Sequence, residues 1–155
     1  MEESNKKNIF KRFKESYGIS GMFLFVVIVI ASYIKIDNFW GLKNMYSVMT
    51  SDEIRKVLFS VITLEMVSSF ILALLGIVTI YFFIKLKDKA LICAFVFIAL
   101  QPILDGLTEI GYSGNIGSGV GSLIGGAIIF WIFWHFLGQK ASSYLKLAYV
   151  KKINL

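Results

Sequence analysis

Four apolar blocks separated by short charged or turn-forming stretches organise the chain. The first, residues 19–34, carries no charge but is slightly short. By borrowing Tyr17 and Gly18 or Ile36 it reaches across roughly 30 Å of hydrocarbon, which sets the first span at about 18–36. The second, 57–84, holds a single charge, Glu65. At 1.5 Å per residue it is about 42 Å long, so it tilts or begins in the headgroup zone. The third, 90–110, carries Gln101, Pro102, Asp105 and Glu109 in its second half, and the fourth, 116–137, is uncharged and opens on a run of glycines. The expected fold is all-α, a four-transmembrane-helix bundle forming one integral membrane domain over residues 1–155, with basic tails at 1–17 and 138–155. No period of 20–50 residues points to an internal repeat.

Composition agrees with a bilayer as the solvent. The chain is 57% hydrophobic and 17% charged, against about 45–50% apolar and about 25% charged in soluble domains, and its mean hydropathy is +0.73. The net charge of +6 raises the question of nucleic acid. The basic residues flank apolar blocks and do not interleave with aromatics on a soluble face, so anionic lipid headgroups are the expected contact and no nucleic-acid partner is expected.

Twelve of the sixteen Lys and Arg fall in the N-terminal tail, the Lys85 to Lys89 turn and the C-terminal tail; the other four, Lys35, Lys43, Arg55 and Lys56, fall in the first loop. Translocated short loops are depleted of Lys and Arg, so both termini are expected in the cytoplasm and the protein in the cell inner (plasma) membrane. Trp40, Trp131, Trp134, Tyr17, Tyr81 and Tyr112 stand near span ends, where amphipathic rings reach the headgroups. In the loop 35–56, Thr50-Ser51-Asp52-Glu53 reads as a helix start leading into the second span. Residues 4–16 alternate Lys with Ile9, Phe10 and Phe13, which fits either a short interfacial helix or a frayed basic tail. A basic start before a short apolar run also describes a signal peptide, but the polar stretch is long and no small-x-small cleavage site follows, so the segment is expected to remain.

The inventory of side chains excludes most catalytic chemistry. One histidine, His135, and one cysteine, Cys93, cannot build a structural zinc site, a CxxC pair or an HExxH helix, and no GxxxxGK[ST] is present. The glycine run at 117–121 fails GxGxxG because Ile124 stands at the last position, and it fails GxSxG as well. No enzyme, cofactor or metal is expected. Cys93 reads as a packing residue, and His135 as an interfacial hydrogen-bonder beside Trp134.

Two patterns carry more information. Gly117, Gly121 and Gly125 form GxxxGxxxG, with Ser118, Ser122 and Gly126 beside them at the same spacing, a smooth helix face that lets another helix backbone approach closely; the partner is either a neighbour in the same chain or a second molecule. Gln101, Asp105 and Glu109 recur every four residues and share a face of the third helix. Glu65 heads a stripe with Ser68, Ser69, Gly76 and Thr79 on the second. A carboxylate near the bilayer centre costs at least ~2.5–3.5 kcal/mol. No Lys or Arg is expected within a span to offset it, unless Lys35, Arg55 or Lys56 of the first loop reaches in to Glu65. Glu65 and Asp105 are therefore expected at similar heights on a shared hydrated crevice, beside a kink at Pro102, with at least one of them protonated. Glu109 reads either as part of this cluster or as the end of the third helix near the headgroups.

These residues give the chain a resemblance to the bacterial multi-pass membrane family catalogued as domain of unknown function 2569. The similarity rests on Gly18-Ile19-Ser20-Gly21 at the start of the first helix, Glu65 in the second, the basic turn Lys85 to Lys89, and a fourth helix ending in Trp131, Trp134 and Lys140. Gly138 and Lys140 depart from the serine and arginine of that pattern. The resemblance implies a four-helix inner-membrane protein and supplies no activity. Two functions follow from the residues: a non-enzymatic accessory or immunity-type protein acting through helix contacts, or a small proton- or cation-coupled transporter using Glu65 and Asp105. Expected partners are membrane lipid and either another membrane protein or further copies of the chain.

Overall fold

In lipid a segment must satisfy its own backbone hydrogen bonds, and each of the four apolar blocks does so as a helix. The structure is a computed structural model that describes the backbone of residues 2–48, 52–87 and 89–153, and the side chains of 11–45, 47, 61–87 and 89–143. It is an all-α four-helix bundle: α1 (Glu2–Val48), α2 (Asp52–Ile84), α3 (Lys89–Ser113) and α4 (Ile116–Ile153). All four are long and apolar enough to cross a membrane.

The helices exceed the apolar blocks. Most of the expected loop at 35–56 is helical, because α1 continues to Val48 and α2 starts at Asp52, where the capping pattern places it. Thr50 and Ser51 lie outside the described residues. The polar residues after Ile34 have no helix-breaking Pro among them, and on leaving lipid they continue an already nucleated helix at little cost. The N-terminal segment is helical too. It joins the first span through Gly18, which adopts φ 71° and ψ −175°, a backbone conformation that only glycine reaches cheaply. The turn folds Tyr17 back so that a Cβ on Gly21 would collide with it. The Gly-x-x-Gly pattern thus marks a break in α1.

Successive helices pack as antiparallel neighbours, α1 on α2, α2 on α3 and α3 on α4, whereas α1 meets α3 and α4 sparingly. Both chain ends and the 85–87 turn share one end of the bundle, the terminal end. There Tyr17 donates to the carbonyl of Lys87 at 2.9 Å, and the Lys140 ammonium donates to the carbonyl of Ser16. Phe83, fully buried, contacts Phe13, Tyr17 and Phe25 at ring-centroid distances of 5.8, 5.0 and 5.5 Å. Phe95 adds edge contacts to Phe130 and Trp134.

Close helix approaches occur at Gly76, Gly119 and Gly126, of which only Gly126 belongs to the expected small-residue face. Gly76 receives Ser32 of α1 and Phe97 of α3. Gly119 lies so close to α3 that a Cβ would stand 2.6 Å from the Gly106 carbonyl oxygen, and Gly126 abuts the Pro102 ring. By contrast Gly121 and Gly125 have nothing within 4 Å of a Cβ position, and Gly117 meets only Asn115, which accepts from its N–H at 2.8 Å. The expectation that Gly117, Gly121 and Gly125 seat a helix of the same chain is overturned. At about 100° per residue, Gly119 and Gly126 face α3, while Gly117 and Gly121 point away from the bundle.

Candidate functional site: a lateral cleft holding an ion pair

Lys35 is the residue that reorganises the site. Continuation of α1 beyond Ile34 carries it inside the bundle, where it is 8% exposed. Its ammonium meets Asp105 Oδ1 of α3 at 2.5 Å, the sole ion pair among the described residues. Asp105 stands about 24 Å of helix beyond Lys89 and about 12 Å short of Ser113, so the pair sits in the bundle half far from the termini, the distal half. A lone charge at that depth is costly, and direct pairing with a hydrogen bond is the usual solution.

The pair belongs to a cleft between α1, α3 and α4. Near the terminal end α1 and α4 touch, with Phe23 stacked on Phe133 at 6.2 Å. In the distal half they leave a cavity of ≈ 570 Å³ lined by Val27, Ile30, Ala31, Ile34 and Lys35 of α1, by α3 from Phe97 to Asp105, and by Ser122, Gly125, Gly126 and Ile129 of α4. It opens sideways toward lipid, since Ile30, Ile34 and Ile129 on its rims are about half exposed. Pro102 forms part of the wall. It offers no N–H to the carbonyl of Ile98, and α3 runs through it without a break.

The four expected polar residues divide into three groups. Gln101 and Asp105 share the cleft. Glu65 is elsewhere: it lies beside the Tyr112 phenol near the end of α3, and its carbonyl accepts from Ser68 at 2.9 Å. Glu109 is exposed one turn from the end of α3, and its carbonyl accepts from Ser113 at 2.8 Å. A shared Glu65–Asp105 crevice is therefore corrected. Glu65 sits about two turns higher than a simple antiparallel register suggests, and Asp105 is compensated by a cation assigned to the loop. The rest of the Glu65 stripe is packing: Ser68, Ser69 and Thr79 are buried, and Thr79 donates back to the carbonyl of Leu75. His135 stacks on Trp131 at 5.9 Å, with its edge against Phe136, and does not pair with Trp134. Cys93 is half-buried within α3.

Sequence reasoning missed Lys35, although a signal existed. It directly follows the charge-free run, and it stands 17 residues beyond Gly18, within one residue of the 16 that separate Asp105 from Lys89. No family model, curated protein or solved structure matches the chain.

Proposed function

We propose that this is a non-enzymatic, accessory or immunity-type protein of the cell inner membrane, with both termini cytoplasmic, that recognises another membrane protein through the outer face of α4. The observation that carries the reading is the uncovered state of that helix. α4 is the least covered of the four spans, and Val120, Ile124 and Ile128 stand exposed around the open notch at Gly121. Small residues beside exposed aliphatics are what a second helix needs for close van der Waals contact in lipid. Orientation rests on the basic residues: with Lys35 inside the bundle, only Lys43, Arg55 and Lys56 remain at the distal end against twelve at the other. The coupled-transporter reading has less support, because a coupling site needs its carboxylates together, and Asp105 faces Lys35 while Glu65 lies by Tyr112.

Photocrosslinking in intact cells tests the reading. A photoreactive residue at Ile124 is expected to yield one stoichiometric heterologous adduct that Gly121→Leu abolishes, while the same probe at Leu74 on α2 yields none. An adduct of two copies of the chain, or equal labelling from both positions, would contradict it.

A further inference from the structure

The distal cleft is a different surface from the outer face of α4, and its chemistry is ordered along the membrane normal. Lys35, Gln101, Asp105 and Ser122 stand at the end nearer Ser113, and Val27, Phe97, Gly126 and Ile129 at the end nearer mid-bilayer. A polar end toward the surface and an apolar end toward the centre is the polarity of a lipid in that leaflet. The cavity volume falls in the ~300–1,000 Å³ range typical of small-molecule sites.

Its polar end is incompletely satisfied. The Lys35 ammonium has three N–H groups and spends one on Asp105 Oδ1. Among the described residues, Asp105 Oδ2 accepts no hydrogen bond and the Gln101 amide makes none. A positive donor, a negative acceptor and a neutral amide thus face one apolar cleft, with the two charges summing to zero. A lone anion or cation entering it would leave net charge in low dielectric, whereas a zwitterion balances both sides.

We infer that the cleft binds one phospholipid with a zwitterionic, primary-amine headgroup. Its phosphate accepts from Lys35 and Gln101, its ammonium donates to Asp105 Oδ2, and one acyl chain lies against Val27 and Ile129. A quaternary ammonium has no N–H to give Asp105, and an anionic headgroup has no cation for it. Phosphatidylethanolamine is therefore selected over phosphatidylcholine and phosphatidylglycerol. Gly125 leaves room for the chain, since nothing lies within 4 Å of its Cβ position.

The test uses the full chain in nanodiscs of equal phosphatidylethanolamine, phosphatidylcholine and phosphatidylglycerol, followed by detergent extraction and native mass spectrometry. One phosphatidylethanolamine per chain is expected to persist, favoured on the order of tenfold over each competitor, as the single charge-assisted hydrogen bond to Asp105 that the competitors lack allows. Gly125→Leu, which fills the chain-binding end, should remove the retained lipid. Lys35→Met/Asp105→Leu, which replaces the pair by apolar groups of similar volume and so keeps the helices packed, should abolish the preference. Ile77→Ala on the lipid-facing side of α2 should leave it intact. Equal retention of the three lipids by the parent, retention of none, or an undiminished preference in Gly125→Leu would overturn the inference. Gly125→Leu carries the test even if the double variant fails to assemble.

Discussion

The two halves of this bundle solve the same packing problem differently. At the terminal end the helices close around large side chains: Leu24, Phe83 and Leu91 are fully buried, and α1 reaches α4. In the distal half α3 buries only Gly106 and Thr108 and α1 and α4 part; the helices meet there through the close approach of Gly106 and Gly119, the buried Ile62, a Phe39–Phe70 ring contact at 5.7 Å and one ion pair. Lipid tails are as apolar as leucine, so burial alone drives neither half. Dispersion between interlocking rings holds the first. The second adds close backbone approach and an electrostatic link to sparser side-chain packing, and leaves a cleft between α1, α3 and α4.

Breaking the terminal half should have the greatest effect. Phe83→Ala removes a ring shared by three aromatic neighbours and should cost about 3–5 kcal/mol in reversible unfolding from mixed micelles, whereas Ile103→Ala on the exposed distal face should stay within about 0.5 kcal/mol. In the distal half the ion pair comes next. Asp105→Ala strands the Lys35 charge and should cost about 3 kcal/mol, and Lys35→Met/Asp105→Leu should return to within about 1 kcal/mol of the parent. Should the single and double variants lose stability equally, the pair would not be the link between α1 and α3.

Glycine substitutions sharpen the contrast within α4 itself. Gly119→Ala places a methyl 2.6 Å from the Gly106 carbonyl oxygen and should cost about 1–3 kcal/mol. Gly121→Ala, two residues on, should be neutral or gain up to about 1 kcal/mol from helix propensity. Gly18→Ala forces a side chain into φ 71° and should cost about 1 kcal/mol, read as partial loss of the α1 break in site-directed spin-label distances between residues 11 and 25.

How much of this was legible in the residues depends on how local the cause is. The four spans and the helix start at Asp52 follow from runs and caps a few residues long. The break at Gly18 announced itself as Gly-x-x-Gly, although its meaning needed the positive φ. Spacing identifies a smooth face without saying which side of it a neighbour occupies: Gly119 and Gly126 fit a seven-residue interval as well as Gly117, Gly121 and Gly125 fit two intervals of four. Lys35 is hidden in the sequence because a charge next to an apolar run looks like the run's boundary. Only the partner on another helix, Asp105, shows that the helix carries it inward.

The contact that defines the distal half is the most direct place to test this account. With Lys35 labelled with 15N at Nζ and Asp105 with 13C at Cγ, rotational-echo dipolar recoupling on the protein in bilayers measures their separation without altering either residue. Strong dephasing, corresponding to an N···O contact within about 4 Å, is predicted. Absence of dephasing would place Lys35 outside the bundle and contradict both the ion pair and the cleft built around it.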